Sequence, residues 1–358
     1  MKAKAAISES AGMTLLFDDI DVPAPGPGEV GVKIVATGLC HTDITGMQGA
    51  IGLFPTVFGH EGAGIVEAVG PDVTEFKVGD RVAITYSSCG CCEACRSGQT
   101  PTCDMFLPLN FVGESKLRHK GQTIYNWFGQ NSFSTHTLTR VRNLVKVPDG
   151  IDLATTGPYG CGMITGAGAM FDMAPGEGDT AVIFGLGAVG FAALMAAKIA
   201  GCKNIIAVSG TEWKNKLALE LGATHIVNRR ETPDIAAEVK KIAPKGANVI
   251  AECTGRTAMA TEAQKCVAAN GKISFVAVYT EDIPLNYALM SKNVSAKVIM
   301  EGSWDNRKGV ETLMKYNLEG KFPVEKLITY YDFEDIGKAL DDLEHQRVIK
   351  AVIKMPEE

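Results

Sequence analysis

Two stretches of the chain combine the residue types that bind metal ions. The first, Cys40-His41-Thr42-Asp43, follows a predicted strand, and the second, His60-Glu61, comes shortly after it. Cys161, between two glycines, offers a further thiol. Two thiols and an imidazole could bind zinc and leave its fourth position open for water or substrate. We therefore predict a catalytic zinc site on Cys40, His60 and Cys161, with buried, metal-free side chains as the alternative.

Two carboxylates belong to the same predicted site. Glu61 directly follows His60, so it could approach the metal from behind or transiently replace the water. Asp43 is expected to accept a hydrogen bond from the ring N–H of His60, because metal-binding histidines are commonly oriented by a carboxylate in this way. The other four histidines have no neighbours at ligand spacing, and we predict that they bind no metal.

A second group of cysteines has the spacing C-x2-C-x2-C-x7-C, at Cys89, Cys92, Cys95 and Cys103. Four thiolates at such short spacing can surround a zinc ion tetrahedrally and leave no open position, which predicts a structural zinc site. An iron–sulfur cluster, or cysteines without a metal, are the alternatives. Cys91 is a fifth cysteine that falls outside the pattern.

A glycine-rich loop lies between a predicted strand, Thr180 to Phe184, and an apolar helix. Its sequence is Gly185-Leu186-Gly187-Ala188-Val189-Gly190. In this context the pattern G-x-G-x-x-G predicts a dinucleotide site, because the glycines permit a tight turn and close approach of a pyrophosphate to the helix N-terminus. A glycine turn that serves packing alone is the alternative.

The next predicted strand ends at Ser209, the position that usually carries an acidic residue when the ribose 2′-hydroxyl is bound. A carboxylate there would repel a 2′-phosphate. Ser209, Thr211 and the backbone N–H of Gly210 could instead hydrogen-bond a phosphate, and Lys214 could supply charge, although Glu212 opposes it. We therefore predict a preference for NADP(H).

The elements that must position these residues change character along the chain. Up to about residue 150, short β-branched runs alternate with glycine- and proline-rich turns, which predicts a mostly β domain. From about 160 to 300, apolar strands alternate with helical patterns, which predicts a doubly wound parallel sheet. We predict a catalytic domain of residues 1–161, completed by 300–358, and a dinucleotide-binding domain of residues 162–299.

The bulk composition excludes several functions. The chain has 358 residues, long enough for two domains, and a net charge of −6 without a polybasic run, so we expect neither nucleic acid nor a membrane as a partner. The uncharged run 181–197 contains three glycines and is at the lower length limit for crossing a membrane. Because the start has no signal-peptide pattern, we expect a cytoplasmic protein whose cysteines bind metal.

Taken together, these motifs resemble the zinc-dependent alcohol dehydrogenases of the medium-chain dehydrogenase/reductase family over essentially the whole chain. The resemblance rests on Gly59-His60-Glu61 with Gly64 and Gly70, the four-cysteine loop, Gly160-Cys161-Gly162 and the loop 185–190. Segments 106–111, 128–133 and 157–162 are most similar to the aryl- or benzyl-alcohol dehydrogenase branch. The resemblance implies a GroES-like catalytic domain, a Rossmann cofactor domain and two zinc ions per chain. We expect a homodimer or a homotetramer.

The resemblance also implies roles for single residues. Thr42 matches the hydroxyl that takes the proton from the alcohol. Thr165 and Val189 match residues that pack on the nicotinamide. His41 and Lys350 match basic contacts to the pyrophosphate.

At two positions the chain departs from the family pattern, and one of them is Ser209, described above. At the other, where the best-known members have a histidine that passes the proton to solvent, this chain has Thr45, so Thr45 itself, a water chain or direct access could serve. We predict an enzyme that transfers a hydride between NADP(H) and a primary alcohol or aldehyde. Aromatic residues between 106 and 133 suggest an apolar or aromatic substrate, unless they only pack the loop. The alternatives are a polyol or other secondary-alcohol dehydrogenase using NAD(H), and a non-catalytic, zinc-stabilised nucleotide-binding protein.

Overall fold

The chain before Cys161 is built mainly from short strands, as its β-branched, turn-rich sequence predicts. The computed structural model describes residues 1–356. The strands of this part are β1 (Lys2–Ser8), β2 (Leu16–Asp21), β3 (Glu29–Gly38), β4 (Thr56–Val57), β5 (Glu61–Val69), β6 (Arg81–Ile84), β7 (Glu114–His119), β8 (Gln122–Tyr125), β9 (His136–Arg140) and β10 (Leu144–Lys146). Two short helices, α1 (His41–Met47) and α2 (Glu93–Arg96), lie among them.

Two sheets organise this mostly β part. Strands β1, β2, β7, β8 and β4 form a closed barrel, and β10, β6, β5 and β3 follow one another in a second sheet, with β9 also paired to β3. Along β3 the alternate residues Val30, Val32, Ile34 and Ala36 are buried, whereas the residues between them are partly exposed. This two-residue period places one face of β3 in the core, and the strand ends at Gly38, two residues before Cys40.

Helices and strands alternate between residues 162 and 303. The helices are α3 (Gly162–Asp172), α4 (Ala188–Ile199), α5 (Glu212–Leu221), α6 (Ile235–Ile242) and α7 (Thr257–Cys266). The strands are β11 (Thr180–Phe184), β12 (Asn204–Ser209), β13 (His225–Asn228), β14 (Ala247–Glu252), β15 (Val267–Phe275) and β16 (Ser295–Val298). All six strands are parallel, in the order β13-β12-β11-β14-β15-β16. The order reverses between β11 and β14, and ligands of such sheets bind at the carboxyl ends of the strands beside that point.

The last part of the chain returns to the second sheet. Its elements are α8 (Asn306–Leu318), β17 (Ile328–Asp332), α9 (Ile336–Glu344) and β18 (Lys350–Lys354). β18 pairs antiparallel with β3 and parallel with β17. The chain thus forms two compact units, one of Met1–Cys161 with the described chain from Trp304, the other of Gly162–Ser303. A mostly β unit and a doubly wound parallel sheet confirm the predicted fold class.

Some boundaries differ from the sequence prediction. A helix was expected from Thr257 to Ala268, but α7 ends at Cys266 and β15 begins at Val267. The local pattern of these residues also fits a helix. They form a strand because Val267 pairs with Ala247 of β14. Among residues 1–356, no helix has both the length and the apolar character needed to cross a membrane.

Candidate active site

Three predicted ligands from distant parts of the chain meet at one point, together with Glu61. One ligand atom from each of Cys40, His60, Glu61 and Cys161 lies within 4.8 Å of the others. Cys40 caps the start of α1, and His60 directly precedes β5. A hydrogen bond with the Cys161 thiol lowers the pKa of Cys40 well below its usual value, although burial opposes this shift. The site therefore favours the thiolate, the form that binds metal.

The imidazole of His60 is oriented for a metal. Its Nδ1 lies 2.7 Å from Asp43 Oδ1, the contact that the sequence predicted. Burial disfavours the charged ring, but the Asp43 carboxylate holds the pKa of His60 well above its usual value. The other ring nitrogen, Nε2, is buried and makes no hydrogen bond with the described chain. A metal ion at Nε2 would give this nitrogen a partner, so the residues fit a zinc ion.

The Asp43 carboxylate is fully buried and is itself held by three groups other than His60. Its Oδ2 accepts a hydrogen bond from the backbone N–H of Cys40 at 3.0 Å. Its Oδ1 accepts one from the backbone N–H of Gly59 at 3.2 Å and one from Trp127 Nε1 at 2.8 Å. Asp43 therefore links the backbone of Cys40, and of Gly59 next to His60, with the indole of Trp127. Sequence reasoning missed Trp127, because nothing in its spacing connects it to Asp43.

Replacing Trp127 with phenylalanine is expected to weaken zinc retention about tenfold, the usual cost of removing an interaction behind a metal ligand. The change removes the N–H that holds Asp43 and leaves most of the aromatic volume in place. Zinc transfer to a chromogenic chelator would measure it. The matched control is Trp213→Phe, since Trp213 is 43% exposed and far from any predicted ligand in the sequence. Equal transfer rates in both variants would contradict a role for the Trp127 N–H.

Glu61 forms a buried ion pair with Lys350. The Lys350 ammonium donates to both carboxylate oxygens at 2.8 Å and to the Leu39 carbonyl at 2.9 Å. Burial raises the pKa of Glu61 to about 7, and the ammonium opposes that rise. Burial alone would lower the pKa of Lys350, but the Glu61 carboxylate raises it overall. Gly38 makes room for this pair, since a Cβ there would lie 2.0 Å from Glu61 Oε2.

The predicted proton-handling residues lie along α1. Thr42 is half-buried, with its Oγ1 3.6 Å from Cys40 Sγ. Thr45 is half-buried one turn later and donates its hydroxyl hydrogen to the His41 carbonyl at 3.0 Å. His41, the predicted pyrophosphate contact, is exposed at the start of the helix. The prediction that Lys350 contacts the pyrophosphate would require it to give up one of its three hydrogen bonds.

Aromatic rings cover one side of the histidine. Phe128 stacks on His60 with ring centroids 4.3 Å apart and an interplanar angle of 19°. Phe111 and Trp127 contact Phe128 edge-on. Trp127 and Phe133 are fully buried, so part of this loop serves packing, while Phe128 places an apolar surface next to a predicted metal ligand.

The four-cysteine loop is also arranged as a ligand set. The sulfur atoms of Cys89, Cys92, Cys95 and Cys103 all lie within 4.8 Å of one another. The Sγ atoms of Cys89 and Cys95 are 3.9 Å apart, close to the edge of about 3.8 Å in a tetrahedron with zinc–sulfur bonds of about 2.3 Å. Backbone N–H groups of Cys91 and Cys92 lower the pKa of Cys89 to about 6. The residues fit zinc, and Cys91 is exposed beside them.

The glycine loop of the second unit is open where a phosphate would bind. A Cβ at Gly190 would lie 1.9 Å from the Gly185 carbonyl, which explains why the turn requires glycine there. A Cβ at Gly187 would meet nothing within 4 Å, and no side chain caps α4 at that point. The free N–H groups and the helix dipole suit an anion. Leu186 is buried below the loop, and Ala188 begins the helix.

The residues predicted to hold the nicotinamide come from neighbouring helices. A Cβ at Gly166 in α3 would lie 2.0 Å from the carbonyl of Val189 in α4, so the two helices pack closely. Thr165 precedes Gly166 and donates to Glu301 at 3.2 Å. Thr165 and Val189 thus lie on two helices of the second unit that pack against each other.

The end of β12 carries the residues predicted to select NADP(H). Ser209 Oγ accepts a hydrogen bond from the backbone N–H of Thr211 at 3.3 Å, around Gly210. Lys214 is only 5% exposed, and burial lowers the pKa of its ammonium. Lys214 is therefore less suited to a phosphate than its sequence position suggested, because a buried ammonium is not free to reach a ligand.

Comparisons with known proteins give matches in both units of the chain. Residues 26–149 match the family described as alcohol dehydrogenase GroES-like domain, and residues 188–315 match zinc-binding dehydrogenase. A geraniol dehydrogenase of Castellaniella defragrans is 35% identical over 99% of this chain and 98% of its own length. The structure of an alcohol dehydrogenase zinc-binding domain protein from Burkholderia ambifaria covers all of both chains with a TM-score of 0.96 at 34% identity. That of benzyl alcohol dehydrogenase from Acinetobacter calcoaceticus covers 99% of this chain and all of its own, with a TM-score of 0.94 at 34% identity.

Proposed function

The chain belongs to the zinc-dependent alcohol dehydrogenases of the medium-chain dehydrogenase/reductase family, and on that premise we propose that it interconverts primary, aromatic or apolar alcohols and their aldehydes with NADP(H). The observation that carries the proposal is the convergence of Cys40, His60 and Cys161, with the Nε2 atom of His60 lacking a hydrogen bond. These three residues would hold the catalytic zinc ion. Because Glu61 is paired with Lys350, we propose that it would lie beside the zinc ion without serving as a fourth permanent ligand.

Zinc would supply Lewis acidity that lowers the pKa of an alcohol or polarises a carbonyl, and the nicotinamide would exchange the hydride. The chain's own residues orient the groups and handle the proton. With a metal bound at Nε2, Asp43 would accept the Nδ1–H of His60 and so keep the Nε2 lone pair directed to the metal. We propose that Thr42 Oγ1 accepts the proton of the alcohol. Thr45, on the same helix, would pass it toward solvent.

The cofactor would bind along the glycine loop of the second unit. Backbone N–H groups at the start of α4 would hold the pyrophosphate, with exposed His41 as a further contact. Thr165 and Val189 would contact the nicotinamide. Zinc on Cys89, Cys92, Cys95 and Cys103 would stabilise the fold of their loop, because four thiolates leave no position for substrate.

The substrate class is proposed from the aromatic side of the site. The Phe128 ring on His60 favours an apolar group, and relatives act on geraniol and benzyl alcohol as their names state. With NADP+, we expect kcat/KM for benzyl alcohol and geraniol to exceed that for glycerol and sorbitol by about a hundredfold, since a polyol would leave hydroxyls unpaired on an apolar wall. A higher value for the polyols would favour the alternative substrate class. Absence of turnover with every alcohol and aldehyde of the panel would favour a non-catalytic protein.

Replacing Ser209 with aspartate is expected to reverse the cofactor preference. The wild type should have the higher kcat/KM with NADP+, and the variant with NAD+, with a change in the ratio of about a hundredfold or more. The new carboxylate would repel the 2′-phosphate and accept a hydrogen bond from the 2′-hydroxyl. Thr224→Asp, an exposed change in the same unit, is the control and should leave the ratio unaltered. A wild type that prefers NAD+ would contradict the proposed cofactor.

We also propose a homo-oligomer, a dimer or a tetramer. Strand β16 is the last strand of the parallel sheet, and all four of its residues are exposed. Its last residue, Val298, is apolar and exposed, as are Tyr287 and Met290, which precede the strand in sequence. An open edge strand with apolar neighbours can pair with the same edge of a second copy. Light scattering at several concentrations would give the subunit number.

A further inference from the structure

An arginine just beyond the end of the neighbouring strand lies at the position where the cofactor ribose is expected. Strands β12 and β13 are parallel, with Ser209 paired to Asn228. The backbone N–H of Arg229 donates to the Ser209 carbonyl at 3.1 Å, so the chain after β13 continues alongside the end of β12. Arg230 follows directly. The distance in sequence between Arg230 and the glycine loop does not indicate that Arg230 lies beside the end of β12. It lies there because β13 pairs with β12.

The side chain of Arg230 lies along the backbone of Gly210. A Cβ on Gly210 would come within 2.9 Å of Arg230 Cγ and 3.0 Å of Arg230 Nε. The absence of a side chain at Gly210 therefore leaves the space that the stem of this arginine uses. As a result, an exposed guanidinium stands beside the turn formed by Ser209, Gly210 and Thr211.

Arg230 has no carboxylate partner in the described chain. The nearest acidic residue in sequence, Glu231, accepts a hydrogen bond from Asn228 Nδ2 at 2.7 Å, and Glu212 pairs with Lys216 at 2.8 Å. An arginine with its five donors uncommitted beside an expected ribose suits a phosphate, which guanidinium binds with two parallel hydrogen bonds. Lys214, the cation that the sequence suggested for this role, is buried.

We infer that Arg230 binds the 2′-phosphate of NADP(H) and is the main source of positive charge for cofactor discrimination in this chain. The inference rests on the proposed NADP(H) preference. The guanidinium pairs with the phosphate from the β13 side, while the Ser209 hydroxyl and the Gly210 N–H donate from the end of β12. Arg230 is thus a specificity-determining residue supplied by the turn after β13, and not by the glycine loop or the end of β12.

Binding of reduced cofactors to the zinc-loaded enzyme tests the inference. Nicotinamide fluorescence gives the Kd of NADPH and of NADH without turnover. Arg230→Gln is expected to raise the Kd of NADPH about tenfold to a hundredfold and to change that of NADH less than about twofold, since only NADPH carries the phosphate. Arg230→Lys keeps the charge without the planar fork and should give an intermediate Kd. The matched control is Arg229→Gln, whose side chain is also exposed, and it should leave both Kd values within about twofold.

A probe of the phosphate alone separates the possible outcomes. In the wild type, adenosine 2′,5′-bisphosphate should compete with NADPH more strongly than ADP does, because ADP has no 2′-phosphate. This competition should weaken as the salt concentration rises. In Arg230→Gln, the two nucleotides should compete equally. If the wild type prefers NADPH and Arg230→Gln keeps that preference, the inference fails while the proposed cofactor stands. If Arg230→Gln weakens NADPH and NADH equally, Arg230 has a structural role and the inference fails. If the wild type binds NADH as tightly as NADPH, both the proposed cofactor and the inference are overturned.

Discussion

Replacing His60 with alanine is expected to lower kcat/KM by at least about a thousandfold and to remove one of two zinc ions per chain. A thousandfold corresponds to about 4 kcal/mol of transition-state stabilisation, within the several kcal/mol that a Lewis-acidic metal supplies. The change removes the one ligand nitrogen of the site and leaves the Asp43 carboxylate buried beside a cavity. Two thiolates alone would not hold zinc in a tetrahedral site.

Zinc per chain and kcat/KM would be measured on the same preparations. His225→Ala is the control, because the His225 side chain is exposed and, in the described chain, its imidazole is hydrogen-bonded only to Thr224 Oγ1, at 2.9 Å. Cys161→Ala should reproduce the loss seen for His60→Ala. Its own control is Cys202→Ala, since burial raises the pKa of Cys202 to about 11 and makes that thiol a poor ligand. Two zinc ions and near-normal turnover in His60→Ala would place the catalytic metal elsewhere.

The elements that the sequence predicted well are those with a strong local pattern. Strand β11, Thr180–Phe184, has the predicted bounds because an apolar run meets a glycine loop at its end. Prediction was weaker near residue 267, where local preference fits a helix and only pairing with β14 makes a strand. Pairing partners lie outside any local window, so a pattern of one segment cannot reveal them.

The same distinction separates what was and was not predicted in the site. Cysteine and histidine types at suggestive positions were enough to propose a common metal for Cys40, His60 and Cys161, because few other roles require such residues. The residues that support a ligand, by contrast, have ordinary types. Trp127 holds Asp43 across 84 positions of the chain, and its type fits any core. Arg230 reaches Gly210 only through the pairing of β13 with β12.

Lys350 is the clearest example of a functional residue whose neighbour could not be predicted from the sequence. The resemblance implies a contact with the cofactor pyrophosphate, whereas the structure gives Lys350 a buried carboxylate, Glu61. Replacing Lys350 with methionine is expected to lower the free energy of unfolding of the first unit by about 3–5 kcal/mol, because Glu61 would remain buried without its counter-ion. Glu61→Gln alone should also destabilise, since the ammonium of Lys350 would then be unpaired.

Urea unfolding in a Trp213→Phe background would measure this effect, because the two remaining tryptophans, Trp127 and Trp304, both belong to the first unit. Lys354→Met is the matched control on the same strand. Lys354 is exposed, with its Nζ 4.2 Å from the centroid of the Tyr330 ring, so its loss should cost about 1 kcal/mol or less.

The double variant Glu61→Gln/Lys350→Met decides how the pair acts. It removes both charges at once, so its destabilisation should be smaller than the sum of the single changes by about 2 kcal/mol or more. Additive losses would mean that the two residues act independently, contrary to the 2.8 Å pair.

The binding of NADPH separates the two roles of Lys350. If Lys350→Met is stable to within about 1 kcal/mol but binds NADPH at least about tenfold more weakly, the ammonium serves the pyrophosphate first. If stability falls while NADPH affinity of the folded protein is kept, the main task of Lys350 is to neutralise Glu61, so that no further uncompensated negative charge lies beside the two thiolates of the metal site.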